Sequence, residues 1–170
     1  MKTPREIRAR YPYMFAGPNI GFTIYRGWFQ LFANACAEVD SILGSDRRGF
    51  HWVQLKEKFG HARWYWRMDP DPAEVSVRKP VKINEFNQDG TVTRLNLDDP
   101  TLELTSITDR IDAVIEGAMN ITQSTCVCCG ASGENHEYKG LYLCLSEDHA
   151  KERRRSGYTP KTAYFTEDET

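Results

Sequence analysis

With 170 residues, 40% of them hydrophobic and 27% charged, the chain has the make-up of one folded domain with its own core, not of a disordered polymer. No apolar run nears the roughly 18 residues that a membrane span needs. The start, MKTPREIRARYPYMF, lacks the apolar stretch and cleavage site of a secretory signal, so the expected location is the cytoplasm.

The net charge of −2 is unevenly spread: residues 1–67 carry 11 Lys/Arg against 5 Asp/Glu, and residues 68–125 carry 5 against 11. Such segregation points either to an acidic partner for the first part or to basic and acidic faces that meet within the fold.

In chain order, PREIRAR is a short basic segment, followed by YPYMF and a turn at AGPN. From Gly27 the apolar residues Trp28, Leu31, Phe32, Ala35, Cys36, Val39 and Ile42 recur at steps of three and four, which predicts an amphipathic helix to Leu43 that stops at Gly44. Cys36 falls on its buried stripe, as a small hydrophobe.

Two β-rich runs follow, Phe50–Leu55 and His61–Met68, flanking KEKFG, where Gly60 can take positive φ. Alternation places Ala62, Trp64, Trp66 and Met68 on a core face and His61, Arg63, Tyr65 and Arg67 on the other. With Lys56 and Lys58 this second face combines cations and an aromatic, the pattern that stacks bases and neutralises phosphates; a merely solvated hairpin face has the same composition. His51 and His61 have no predicted carboxylate partner. DPDPAE then breaks the pattern. VSVRKPVKINEF and TVTRLNL predict a second hairpin, with Pro80 confining its first strand to an edge, and residues 69–103 read as an insertion. Asp69 with Asp71 and Asp98 with Asp99 are turn carboxylates beside prolines. A second amphipathic helix is expected from Thr105 or Ser106, with Ile107, Ile111, Val114, Ile115 and Ala118 on one face.

Four of the five cysteines lie in STCVCCGASGENHEYKGLYLCLSEDHA, residues 124–150. Cys126 and Cys129 form a C-x-x-C-G knuckle, whose two thiolates reach one tetrahedral ion while the glycine lets the backbone turn tightly. Cys144 and His149 complete the expected set, Cys126, Cys129, Cys144 and His149, a closed structural Zn²⁺ site. His136 is an alternative fourth ligand, and Cys128 can replace either neighbour or stay a free thiol. A redox reading of the C-x-x-C pair lacks its βαβ context. Ser146 is the expected N-cap of a final helix whose Lys151, Arg153, Arg154 and Arg155 form a second basic cluster. A nuclease of related architecture needs a general-base histidine at the end of a hairpin strand and metal-ligating polar residues on the following helix; the histidine of that helix is taken by the zinc set, and His136 falls in the loop.

The expected fold is therefore α+β. A small antiparallel sheet of two hairpins packs with two amphipathic helices in residues 1–123. A treble-clef or ribbon-like zinc module fills 124–156, and 157–170 form a flexible tail.

YPYMF, GWFQLFANACAEVDSI, VQLKEKFGHARWYW and STCVCCG with LYLC and a closing histidine resemble a family of small phage- and prophage-encoded proteins. Its members share a GW helix, a Q-x-K-E-K-F-G-x-L-R-x-Y hairpin and a terminal C-x-x-C…C module. The chain departs from the pattern at Ala62, where the family has a larger apolar residue, and in the length of 69–103. The resemblance implies a non-enzymatic accessory protein in the bacterial cytoplasm that binds a host protein or protein–nucleic-acid complex, with counter-defence as its setting. The basic hairpin face and Arg153–Arg154 give the alternative, a nucleic-acid-binding zinc protein. A further alternative is an enzyme or a nucleotide-sequestering protein.

Overall fold

The computed structural model describes residues 2–17, 20–45, 47, 49–68, 106–166 and 169–170. The expected second hairpin, the 69–103 insertion and the two carboxylate pairs lie outside the described residues.

Helix α1, Pro4–Arg10, has proline in its first turn and is capped by Thr3, whose hydroxyl accepts the Glu6 amide. A 3₁₀ turn, Pro12–Phe15, buries Met14 and brings the Tyr13 hydroxyl to Asp40, where it donates at 2.7 Å. Strand β1, Gly21–Phe22, leads into a second 3₁₀ turn, Arg26–Trp28, and helix α2, Phe29–Leu43. The helix buries Phe29, Leu31, Phe32, Ala35, Cys36, Val39 and Leu43, and stops at Gly44 with φ of 60°.

Strands β2, His51–Lys58, and β3, His61–Arg67, form the expected hairpin. Its loop is shorter than the five residues of KEKFG. Phe59 and Gly60, with φ of 55° and 82°, make a two-residue turn of the mirror-image kind that matches strand twist, so β2 runs on through Lys58. Between Trp52 and Gln54 the register slips. β1 pairs with β2 in parallel, Gly21 facing Gln54, giving the sheet order β1-β2-β3. The strand beside the hairpin among the described residues thus comes from before α2.

Helix α3, Ile107–Ile121, begins at a reciprocal cap between Ser106 and Asp109 and buries Ile111, Val114, Ile115 and Ala118. Its first residue, Ile107, stays exposed. A second hairpin, β4 Glu134–Tyr138 and β5 Leu141–Leu145, turns at Lys139 and Gly140 and leads into helix α4, Glu147–Ser156. Among the described residues, four helices and two small sheets, one mixed and one antiparallel, give an α+β structure. No helix among the described residues is long and apolar enough to cross a membrane.

The core centres on Phe32, whose ring lies 5.1 Å from both Trp52 and Trp64 and 5.7 Å from Phe22. Trp66 stacks on Phe50, and its indole N–H donates to Asp112 of α3 at 3.0 Å. Trp28 is fully buried, and its indole N–H reaches the Thr125 carbonyl.

Past Gly157 the chain folds back. Ala163 is buried, Tyr164 meets the Tyr25 ring at 5.6 Å, Phe165 meets Phe29 at 5.2 Å, and Arg26 grips Glu169 with two hydrogen bonds. Polar composition led to the expectation of a flexible tail; the apolar Ala163–Phe165 stretch supplies the anchor.

Candidate metal centre and the neighbouring basic face

The segment Thr125–Gly130 is folded as a knuckle. The Cys126 amide donates to Ala131 and the Gly130 amide to Cys126, which requires positive φ at Gly130, 77°. The turn aims the amides of Cys128 and Cys129 at the Cys126 sulfur, and the Ser146 amide, at the start of α4, reaches it from the other side. The first turn of α4 carries His149, whose Nδ1 lies 3.5 Å from Cys126 Sγ and 2.9 Å from the Ser146 hydroxyl. Ser146 is the N-cap residue by position, but its side chain turns to the imidazole and caps no amide.

Ligand atoms of Cys126, Cys128 and His149 lie within 4.8 Å of one another. Tetrahedral Zn²⁺ with Zn–S of about 2.3 Å and Zn–N of about 2.0 Å separates sulfur and nitrogen by about 3.5 Å, so the Cys126–His149 pair already stands at a coordination edge. Two sulfurs and an imidazole are donors suited to zinc. The residues fit a metal ion.

Electrostatics distinguishes the thiols. Cys126 is held well below the usual thiol range: it accepts a hydrogen bond from Cys128 and those of the three amides, against the opposing effect of burial. Cys128 is raised by the same Cys126 hydrogen bond and by burial, and its sulfur also meets the side chain of Thr162 from the returning C-terminal segment. Cys129 is exposed at the rim, its Sγ 3.8 Å from Ser146 Oγ. Cys144 is buried and pushed up to about 12, by burial first and then by the charges of Cys126 and Glu134.

Of the set expected from spacing, the structure therefore brings together Cys126 and His149, with Cys129 beside them; Cys128 stands in the group and Cys144 outside it. His136 sits on β4 with its ring 6.0 Å from Tyr138, also outside the group. C-V-C-C offers two overlapping choices that spacing cannot separate.

The sequence reading missed how the knuckle is docked. Gly27 donates to Val127 at 2.8 Å, and the Trp28 indole N–H donates to Thr125 at 2.9 Å. A Cβ on Gly27 would collide with the Cys126 carbonyl oxygen and stand 2.7 Å from the Gly130 nitrogen. The Gly27-Trp28 pair, legible only as a helix start, is the seat of the knuckle.

The second candidate surface is the outer face of β2–β3. In register, Lys58 stands opposite His61, Lys56 opposite Arg63, and His51 opposite Arg67. Tyr65, 48% exposed, sits among them opposite Gln54. The lone carboxylate of the hairpin, Glu57, belongs to the other side, opposite Ala62, and accepts the Gly60 amide at 2.6 Å. Lys56 Nζ lies 5.1 Å from the Tyr65 ring centre, and among the described residues neither Arg63 nor Arg67 has an ion-pair partner. A shallow depression of about 280 Å³ opens on this face, lined by Val53, Gln54, Lys56, Tyr65, Trp66 and Arg67.

The expected second basic cluster is divided. Arg154 is exposed, but Arg153 is only 8% exposed, stacked 4.6 Å over the Tyr138 ring and bonded to Thr159. Helical spacing turns Arg153 onto the β4–β5 hairpin, so it packs and does not present its charge. Compared with known proteins, the chain matches no family model, no curated protein and no solved structure.

Proposed function

We propose that the protein is a zinc-stabilised, non-enzymatic accessory protein that binds single-stranded nucleic acid on the outer face of β2–β3. The observation that carries the reading is the register: Lys56 faces Arg63 across the hairpin, the pairs Lys58–His61 and His51–Arg67 lie on the same face, and no carboxylate stands among them. Like charges directly opposite one another weaken a sheet, and alternating signs would strengthen it. A face with no ligand gains nothing from this arrangement, whereas phosphates reverse its sign. Tyr65 at its centre supplies a surface on which a base stacks, and Lys56 over that ring adds a cation for the neighbouring phosphate.

The order of knuckle, hairpin and helix is that of a treble-clef module, and in it Cys126, Cys128 and His149, with Cys129 at the rim, hold zinc. Bound there, zinc ties the knuckle to the start of α4 and supplies folding free energy, not a reactive position. The resemblance to phage-encoded accessory proteins makes nucleic acid in a bacterial cytoplasm the host macromolecule encountered.

Fluorescence anisotropy with labelled single- and double-stranded oligonucleotides tests the proposal on zinc-loaded protein. Single strands bind more tightly, and log K falls against log[salt] with a slope of about −0.7 per phosphate neutralised. Absence of binding at low salt refutes it.

A further inference from the structure

We infer that the nucleic-acid strand is stacked at two rings, Tyr65 and Phe59, and that the platform continues onto Tyr142 of the β4–β5 hairpin. The inference rests on the binding reading above and specifies the path of the strand.

Phe59 combines two unfavourable features. It is 62% exposed, and its φ of 55° is a left-handed conformation that a bulky side chain rarely adopts. A two-residue turn of this kind favours asparagine, aspartate or glycine at that position. The phenyl ring gains little from packing in exchange: its ring neighbour is Tyr142, itself 36% exposed, edge-on at 6.2 Å. An exposed ring in a strained position fits a surface reserved for something else.

The surroundings identify the ligand. Lys58 Nζ lies 5.2 Å from the Phe59 ring centre, as Lys56 lies 5.1 Å from Tyr65. The same unit, a ring and an ammonium, thus occurs twice on one face. Lys56 and Lys58 are two residues apart on one strand, about 6.6 Å, close to the backbone repeat of an extended single strand, so that each lysine meets one phosphate and each ring one base.

The second unit lies against β4. The Asn135 amide of β4 donates to the Phe59 carbonyl at 3.4 Å, and a Cβ on Gly60 would stand 2.5 Å from the Asn135 side chain. The two hairpins meet at this turn, placing Tyr142 beside Phe59. A protein partner for the same apolar patch is the competing occupant; the lysine over Phe59 and the all-basic face that continues from it favour a polyanion.

The test uses zinc-loaded full-length protein and a fluorescein-labelled oligothymidylate, with Phe59→Leu, Tyr142→Leu and Tyr65→Leu beside Arg63→Glu. Leucine keeps the apolar bulk and removes the stacking face; zinc content and melting temperature establish that each variant is folded. Each leucine variant is expected to weaken binding about 5- to 150-fold, the range for losing one stacked base, with the salt slope unchanged. Phe59→Tyr is expected to bind as the parent does. Arg63→Glu weakens binding and flattens the salt slope. If Phe59→Leu and Tyr142→Leu bind like the parent while Arg63→Glu does not, the two-ring path is overturned and the basic face stands. If the parent itself binds no oligonucleotide, the underlying reading fails and the path fails with it.

Discussion

The indole N–H of Trp28 donates to the carbonyl of Thr125 at 2.9 Å, joining residues 97 positions apart. Beside it, Gly27 donates to Val127, and no side chain fits at Gly27 because the Cys126 carbonyl occupies the space. The first long helix and the candidate metal knuckle therefore share one joint. Gly27→Ala forces backbone against backbone, which cannot relax as a flexible side chain would. We expect it to cost about 3 kcal/mol, the upper end for overpacking, and to weaken zinc retention. Thermal melting and competition with a chromophoric chelator measure the two effects.

Metal content separates the ligand set expected from spacing from the one that the geometry favours. The purified protein is expected to hold one zinc per chain. Cys126→Ser, Cys128→Ser and His149→Ala lose it, and Cys144→Ser retains it, because the Cys144 thiol lies outside the group of ligand atoms. Atomic emission on the four variants gives the answer. Zinc retained in Cys128→Ser and lost in Cys144→Ser would restore the spacing-based set.

Stability and binding should move in opposite directions at Arg63. Its cross-strand neighbour is Lys56, so Arg63→Glu replaces a repulsive pair with an attractive one. A gain of about 0.2–1 kcal/mol is expected in urea denaturation, together with loss of oligonucleotide affinity. Loss of both would mean that Arg63 supports the fold instead of a ligand.

Trp64 packs edge-on against Phe32 at 5.1 Å and is 3% exposed, and its backbone N–H donates to the Met119 sulfur at 3.1 Å. Trp64→Ala removes a large aromatic contact between the sheet and α2, at an expected cost of about 3–5 kcal/mol. Chemical denaturation checks it.

The C-terminal clasp gives a pH signature. The Arg26 guanidinium, followed by the amide and hydroxyl of Thr166, holds the Glu169 carboxyl at about 2, below its ordinary 4.5. A carboxyl depressed by folding contributes fully above its unfolded value and loses that contribution as pH falls through the folded one. The clasp is thus intact above about pH 4.5 and opens toward pH 2. Pepsin cleavage near Phe165 should rise over that window, and Glu169→Gln should show faster cleavage already at pH 4.5.

What the sequence made legible follows from periodicity. Steps of three and four gave the span and stop of α2, and alternation gave the buried Trp64 and the exposed Tyr65 with the correct faces. Neither period carries information about contacts between distant segments. The bond from the Trp28 indole to Thr125 was therefore not legible, and Arg153 was counted as surface charge when it lies over Tyr138. Loop length was misjudged for a local reason: Phe59 is an unexpected residue in a mirror-image turn, so KEKFG gave no sign that only its last two residues form the loop.

The joint between Gly27-Trp28 and Thr125–Val127 also governs how the chain is made. During synthesis the residues of α2 emerge from the ribosome about 97 residues before their partners in the knuckle. At roughly 5–20 residues per second, that leaves Trp28 and its apolar neighbours without their seat for about 5–20 s. The nascent chain consequently passes through a stage at which its first helix is complete but its aromatic flank is open. Chaperone occupancy during translation should peak there and fall once the knuckle emerges.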